Sequence, residues 1–414
     1  MKNLWIVNHS SLPPELGGLN RHFYFSRHLS QAGYRVRIIT ASAIHNTDIN
    51  IIGGDDPAPF CEKSFSGVPF TFLKTPGYRG NGLARARDML AFSRRFCSVF
   101  RRFERPDAIC ASSPDPFAAA AAVRVARHLG VPVILEVRDL WPESIVAYQG
   151  RSPKNPVIRA MYGMEKRLYR SADRLVFTME GGADYIREKG WDGEVDLSSV
   201  RHINNGVDLA EFEACRGIPF FDADLNDPST FKVVYAGSVR TAYHLEDVVD
   251  AALLLQSKHP DIRFLIWGDG DRRPALEARC REKGVRNVLF KGRVDRRHIP
   301  AILSKADATL LQLYQNGGPG ILRYGCSPNK LFDYLAAGKP VIVGFAAGYD
   351  LVERYGCGMS ASGGPAALAE AALRLRFLSP EKYVAMCRNA ARAARDYDYR
   401  ILAKKFDAVL REVL

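Results

Sequence analysis

Gly325-Cys326-Ser327-Pro328-Asn329-Lys330-Leu331-Phe332-Asp333-Tyr334-Leu335-Ala336-Ala337-Gly338-Lys339-Pro340 says more about the architecture than any other stretch of this chain. Ser327 is a good helix N-cap and Pro328 suits the first helical position. Gly338 is a candidate helix stop, and Pro340 leads into an apolar run. The first turn of such a helix offers unpaired N–H groups, and Lys330 stands beside them. The segment therefore reads as an anion site with a positive charge built in. Asp333 lies one turn on, near enough to the same face to meet a hydroxyl-bearing part of the same ligand. A capped helix with two surface charges explains Ser327, Pro328 and Gly338, but not Lys330 and Asp333 together.

Outward from this stretch, short apolar runs alternate with longer amphipathic ones. The first half predicts strands at Leu4–Val7, Val36–Thr40, Asp107–Cys110, Val131–Leu135 and Arg174–Phe177, with a helix over Leu19–Gln31. After a polar, Pro-containing stretch, Phe220 to Ser229, the pattern restarts. Strands are expected at Phe231–Ala236, Phe264–Trp267, Val288–Phe290, Ala308–Leu311 and Pro340–Val343. Helices are expected at about 244–256, 271–283, 297–304, 328–337 and 347–355. Strands alternating with helices imply parallel sheets, and nearly continuous apolar strands imply burial on both faces. The expected fold is α/β, with two doubly wound, Rossmann-like lobes facing a central cleft at the carboxyl ends of their strands. The expected boundaries are 1–210 and 211–385, with a helix at 386–414 crossing back to the first lobe.

The chain has 414 residues, ample for two cores, in an ordinary globular mix that speaks against disorder, collagen and coiled coil. Its net charge of +13 and pI near 9.4 favour anionic partners such as nucleotides, phosphates, nucleic acid or acidic lipid. Eight scattered cysteines form no C-x-x-C and no metal-ligand spacing, which suggests a reducing cytosol and predicts no metal site. The start is too short and too soon polar for a signal peptide, and no run of 18 apolar residues predicts a membrane span.

Other segments could carry chemistry. Gly17 and Gly18 precede a helix, where backbone N–H groups can approach an anion, or where a tight turn needs a positive φ. In Tyr235-Ala236-Gly237-Ser238-Val239-Arg240, Ser238 and Arg240 could meet a phosphate at a strand end. Glu136, Arg138, Asp139 and Glu143 follow a buried strand, where charges point to a site or to an Arg–Asp pair bracing a loop. Arg138, Asp139, Glu143 and Lys330 are the candidate catalytic residues. Asp222-Ala223-Asp224, Asp269-Gly270-Asp271 and Asp396-Tyr397-Asp398 imitate a metal-binding Asp-x-Asp, without a compact domain built around any of them. Between Arg79 and Arg105 lie eight arginines interleaved with Leu90, Phe92, Phe96, Val99, Phe100 and Phe103. This reads as a basic amphipathic helix for an anionic membrane surface, or as one packing its aromatics on its own sheet. No nucleic-acid motif accompanies the charge, so no nucleic-acid partner is expected.

Together these segments resemble retaining glycosyltransferases of the GT-B fold, in glycosyl transferase group 1 (family four), over nearly the whole chain. The markers are the Gly17-Gly18 loop, Asn205-Gly206-Val207-Asp208, Tyr235-Ala236-Gly237, Gly268-Asp269-Gly270, Gly292-Arg293-Val294 and the Lys330–Pro340 helix. Ser112-Ser113-Pro114 and Asp139-Leu140-Trp141-Pro142-Glu143-Ser144 look like a narrower branch, the bacterial N-acetylfucosaminyl transferases of surface polysaccharide assembly.

The resemblance implies a nucleotide-diphosphate sugar donor, UDP-linked, held mostly in the second lobe. Arg293 and Val294 would hold the base and Asp333 the ribose. Lys330, the amides of Ser327 to Asn329, Gly237, Ser238 and Arg240 would hold the diphosphate, faced by Gly17 and Gly18. A lipid-linked or saccharide acceptor would dock on the first lobe, and the protein would sit in the cytoplasm at the inner membrane face. It also implies front-face retention with neither cofactor nor metal. There are departures from the pattern. The family's paired glutamates fall on Gly325 and Asp333, its Arg–Lys pair on Ser238 and Tyr243, and the His of a His-Asp pair on Arg138. These departures motivate one alternative, a non-catalytic partner or polyanion-binding protein of the same fold. A second keeps the fold but changes the chemistry, a sugar-nucleotide epimerase or hydrolase.

Overall fold

The computed structural model describes residues 1–18, 20–80, 82–315 and 318–414; Leu19, expected to open the first helix, lies outside them. The chain divides into two compact units, Met1–Asn204 with Tyr399–Leu414, and Asn205–Asp398.

The first unit carries eight strands: β1 (Lys2–Val7), β2 (Tyr34–Ala41), β3 (Phe60–Phe65), β4 (Val68–Leu73), β5 (Ala108–Ser113), β6 (Val133–Val137), β7 (Arg174–Phe177) and β8 (Val200–His202). They form one sheet in the order β3-β4-β2-β1-β5-β6-β7-β8. All pairs are parallel except β3 with β4. The β3–β4 hairpin turns on Ser66 and Gly67, both at positive φ (47° and 83°), the geometry of a two-residue turn that follows strand twist. The crossovers are α1 (Arg21–Gln31), α2 (Leu83–Val99), α3 (Pro116–Leu129), α4 (Glu143–Gln149), α5 (Pro156–Ser171) and α6 (Gly182–Glu188). Their starts follow from local chemistry. Asp115 accepts from Phe117 N and Ala118 N ahead of Pro116, and Gly130 stops α3 at φ 63°.

The second unit carries β9 (Phe231–Ala236), β10 (Ile262–Trp267), β11 (Val288–Gly292), β12 (Ala308–Leu311), β13 (Val341–Val343) and β14 (Gly358–Ser360), all parallel, in the order β11-β10-β9-β12-β13-β14. Its helices are α7 (Leu209–Arg216), α8 (Glu246–Leu255), α9 (Arg273–Lys283), α10 (Ile299–Ser304), α11 (Asn329–Ala336), α12 (Leu351–Tyr355), α13 (Pro365–Arg376) and α14 (Pro380–Asp396). Val233, Tyr235, Val248, Ile262, Phe264 and Leu375 belong to the core. Strand order reverses at β1/β5 in one sheet and at β9/β12 in the other, the switch points where such sheets bind ligands at their carboxyl ends.

Three local expectations change. Ser327 does not cap α11: the cap position is Pro328, and the Ser327 hydroxyl accepts from Asn205 N at 2.8 Å instead. The helix expected from 347 starts at Leu351, because the Asp350 carboxylate caps it by accepting from Val352 N at 2.8 Å. The single helix expected at 386–414 is two, α14 and α15 (Tyr399–Arg411), with a break at Tyr397-Asp398 where Val207 N donates to Tyr397 O at 3.1 Å. Helix α15 is part of the first unit: Tyr399 stacks on Tyr24 at 4.8 Å, and Phe406 on Phe25 at 5.3 Å.

Candidate active site: a cationic cradle at one switch point

In the second unit, Gly237 follows β9 with φ 154°, and a Cβ there would lie 1.8 Å from Lys330 Cε. Glycine at 237 thus leaves the passage through which the Lys330 stem reaches the strand end. Tyr334, one turn further along α11, fixes the distance: its hydroxyl accepts from Ala236 N at 3.0 Å and donates to Ala236 O at 3.2 Å. Helix α11 is therefore bolted to the end of β9 with its N-terminal turn beside Gly237.

The Lys330 ammonium lies 3.5 Å from the centre of the Tyr243 ring and 5.7 Å from that of Tyr235. Burial pulls it below the usual lysine range, and Tyr243 and Asp333 oppose that pull. Arg240, exposed just past Val239, has no ion pair among the described residues. Asp333 is pushed up to about 6 by burial, with Arg296 and Lys330 pulling it down and Glu211 adding to the rise. Around Ser327, the main chain is held by Asn205, whose Nδ2 donates to Ser327 O at 2.6 Å. Arg293 and Val294 follow the end of β11, the first exposed and the second half-buried. Gly237, Ser238, Arg240 and Lys330 thus gather at the β9 end, with Ser327 and Asn329 at the start of α11 and Asp333 one turn along it, within reach of the Arg296 and Glu211 charges. The arrangement can hold an anion between a helix N-terminus and two cations.

The first unit places a different set at its strand ends. Glu136 is fully buried in β6 and accepts from Arg21 Nε at 2.6 Å, His22 Nε2 at 2.7 Å and Ser112 Oγ at 2.8 Å. Burial raises its carboxyl, but Arg21 and His22 outweigh that and hold it well below the usual carboxylate range. The Arg21 guanidinium continues to Ile203 O at 2.8 Å and to Asn204 O. Glu136 is thus a brace tying α1 to β5, β6 and the chain beyond β8. Arg138 and Asp139 follow as partly exposed residues and form no ion pair with each other. Burial pushes Asp139 up to about 6, while the nearby Ser144 hydroxyl, the Leu140 N–H and the Arg85 charge pull the other way. Glu143 is committed to Tyr162 OH at 2.5 Å and to Lys189 Nζ. Neither Gly17 nor Gly18 takes a positive φ; a Cβ at Gly17 would come within 2.9 Å of Leu12 Cδ1.

Two features escape a sequence reading. His9, just past β1, pairs through Nε2 with Asp88 Oδ2 of α2 at 2.7 Å, and Asp88 Oδ1 accepts from Gly77 N at 2.7 Å. Tyr243 meets Lys330 from a 3-10 turn, Thr241–Tyr243. The Asp-x-Asp imitators have ordinary partners: Asp222 and Asp224 both pair with Lys291, and Asp396 accepts from Tyr355 OH at 2.8 Å. Helix α2 turns Phe92 and Phe96 into the core and leaves Arg87 and Arg94 exposed. No helix among the described residues is long and apolar enough to cross a membrane.

Known proteins resemble this chain in sequence and in fold. Residues 17–197 match the glycosyl transferase 4-like domain, and residues 230–376 match the glycosyl transferases group 1 domain. The chain is 23% identical over 348 residues to WcaI of Escherichia coli K12, named for a glycosyl transferase of colanic acid biosynthesis, covering 81% of each chain. In structure it is similar to HepE of Anabaena, solved in complex with UDP (TM-score 0.68, 14% identity, all of both chains covered). It is also similar to WaaG, a glycosyltransferase involved in lipopolysaccharide biosynthesis (TM-score 0.63, 16% identity, 98% of this chain and 99% of that one). With two parallel-sheet lobes of the GT-B kind and both domain matches in sequence order, the chain belongs to the group 1 glycosyltransferases that carry a glycosyl transferase 4-like domain at their amino-terminal side.

Proposed function

We propose that this protein is a retaining glycosyltransferase that moves a sugar from a UDP-sugar to a lipid-linked or saccharide acceptor in cell-surface polysaccharide assembly. The observation that carries the reading is the cradle at the end of β9: Lys330 threaded past Gly237, the exposed Arg240 charge acting beside it, and the first turn of α11. The diphosphate lies against Lys330, Arg240 and the Ser327–Asn329 amides, Asp333 accepts from the ribose hydroxyls, and Arg293 and Val294 flank the base. In the transfer, the anomeric carbon–oxygen bond to the diphosphate breaks as the acceptor oxygen bonds to that carbon on the same face. The acceptor proton passes to the departing phosphate oxygen. Lys330 and Arg240 balance the charge developing on the leaving diphosphate, the task a metal performs elsewhere. On this reading Arg138, Asp139 and Glu143 serve the acceptor in the first unit.

The HepE–UDP complex and the polysaccharide roles in the names of WcaI and WaaG support the donor and pathway class. We also place the protein in the cytoplasm, on the anionic inner membrane surface, through residues 79–105. The aromatics of α2 are committed to the core, so this contact is electrostatic: Arg87, Arg94, Arg101, Arg102 and Arg105 stay exposed, each worth about 1 kcal/mol near such a surface.

The test is a thermal-shift panel of UDP, GDP, ADP, TDP and CMP, each with magnesium and with EDTA. A nucleotide at 100 times its dissociation constant stabilises by about 2.7 kcal/mol. UDP alone is expected to raise the melting temperature, equally with EDTA. No shift with any nucleotide would favour a non-catalytic protein of the same fold. Lys330→Ala and Asp333→Ala should each lower transfer at least 10-fold while the fold holds; normal transfer in both would sink the site assignment.

A further inference from the structure

Lys330 is a partly buried ammonium with no ion pair among the described residues, although the Asp333 charge reaches it. Such a charge is costly unless something meets it. Here the Tyr243 ring meets it at 3.5 Å, with Tyr235 at 5.7 Å on a second side and the two rings edge to face at 6.2 Å. An aromatic face stabilises a cation without cancelling its charge, whereas a carboxylate would hold it equally well and neutralise it. The turn bearing Tyr243 is itself fixed: Tyr243 N donates to Arg240 O at 2.9 Å, and Tyr314 N donates to Ala242 O at 2.8 Å.

We infer that Tyr243 is a positioning residue that holds Lys330 as an ordered, un-neutralised cation at the end of β9, ready for the diphosphate of the donor. This rests on the donor reading above and adds a residue to it. Tyr235 takes the lesser part, because its hydroxyl already donates to Ser238 O at 2.6 Å. The buried one of the two cations at this point is thus oriented by a ring contributed from 87 residues earlier in the chain.

The experiment compares UDP and uridine binding by calorimetry in the full chain and in Tyr243→Leu, Tyr243→Phe and Tyr243→Glu. Leu is expected to weaken UDP about 10-fold and leave uridine, which lacks the diphosphate, unchanged. Phe keeps the ring and recovers most of that loss. Glu pairs with Lys330, keeps the fold, and weakens UDP more than Leu does. A Leu variant that binds UDP as the wild type does, or loses UDP and uridine equally, overturns the inference and leaves the donor reading standing. If the wild type binds no nucleoside diphosphate, the donor reading falls. Titration of the Lys330 ammonium by carbon-13 NMR then decides the holding role by itself: an ammonium that titrates at a lower pH in Leu but not in Phe supports it, and an unchanged one overturns it.

Discussion

Replacing Glu136 by Gln removes one negative charge from a position with no exposure, where Arg21 Nε, His22 Nε2 and Ser112 Oγ all point at the carboxylate. The Arg21 guanidinium is equally buried and stays charged, so the change strands a cation rather than deleting a pair. Breaking a buried pair from one side costs about 3–5 kcal/mol. In a unit of this size each kcal/mol lowers the melting point by about 2–4 °C, so the expected fall is about 6–20 °C. Thermal melts followed by circular dichroism would measure it. The pH dependence gives a second check. Glu136 is held well below its unfolded value of 4.5, so its contribution is present above that value and fades as pH falls through it toward the lower folded value. The Gln variant should lose this part of the acid sensitivity. Transfer measured well below the variant's melting point should stay within a few-fold of the parent, because the Glu136 carboxylate is fully buried and spent on Arg21, His22 and Ser112. A melting point within 3 °C of the parent would refute the buried-pair argument. A collapse of transfer in a stable variant would instead make Glu136 a participant in the chemistry.

Other outcomes follow from single features. Gly237→Ala puts a methyl group where Lys330 Cε lies, 1.8 Å away, so UDP affinity should fall at least 10-fold, and the φ of 154°, strained for a side chain, should lower the melting point as well; a calorimetric titration and a thermal melt measure the two. Asp333 titrates at about 6, so UDP binding should weaken as pH drops below 6 and the ribose loses its carboxylate acceptor, an effect absent in Asp333→Asn. Glu165, pushed up to about 8 by burial despite bonds from Tyr169 at 2.7 Å and Tyr185 at 2.8 Å, works in the opposite direction to Glu136. Its folded value lies above the unfolded 4.5, so stability should decline as pH rises from 4.5 to 8, and Glu165→Gln should flatten that slope in melts taken across the range.

How far the fold could be read from the sequence depended on how much of each element's fate is local. Arg174–Phe177, Phe231–Ala236 and Ala308–Leu311 are apolar runs set between turn signals, and they are strands over those same residues. The β3–β4 hairpin has a weak local signature because the exposed strand, Phe60–Phe65, is half polar, although Ser66-Gly67 supplies its turn. Val200–His202 and Gly358–Ser360 are three-residue edge strands, too short for any periodicity to register. In the cradle, the helix, its stop and the Lys330–Asp333 spacing were local and therefore legible. The diversion of Ser327 to Asn205, the ring of Tyr243 over Lys330 and the His9–Asp88 pair join positions 122, 87 and 79 residues apart, and no local pattern announces them.

Because α15 completes the first unit, that unit is also the last to be finished at the ribosome. Tyr24 and Phe25 emerge early, but the rings that cover them, Tyr399 and Phe406, and Asp407, which accepts from Tyr34 OH at 2.7 Å, emerge only after the whole of Asn205–Asp398. During that interval α1 shows an aromatic stripe to the solvent, while the second unit can already close on its own contacts. A nascent chain arrested near residue 398 would thus hold one finished unit and one with an open seam, and it is this seam that chaperones would find.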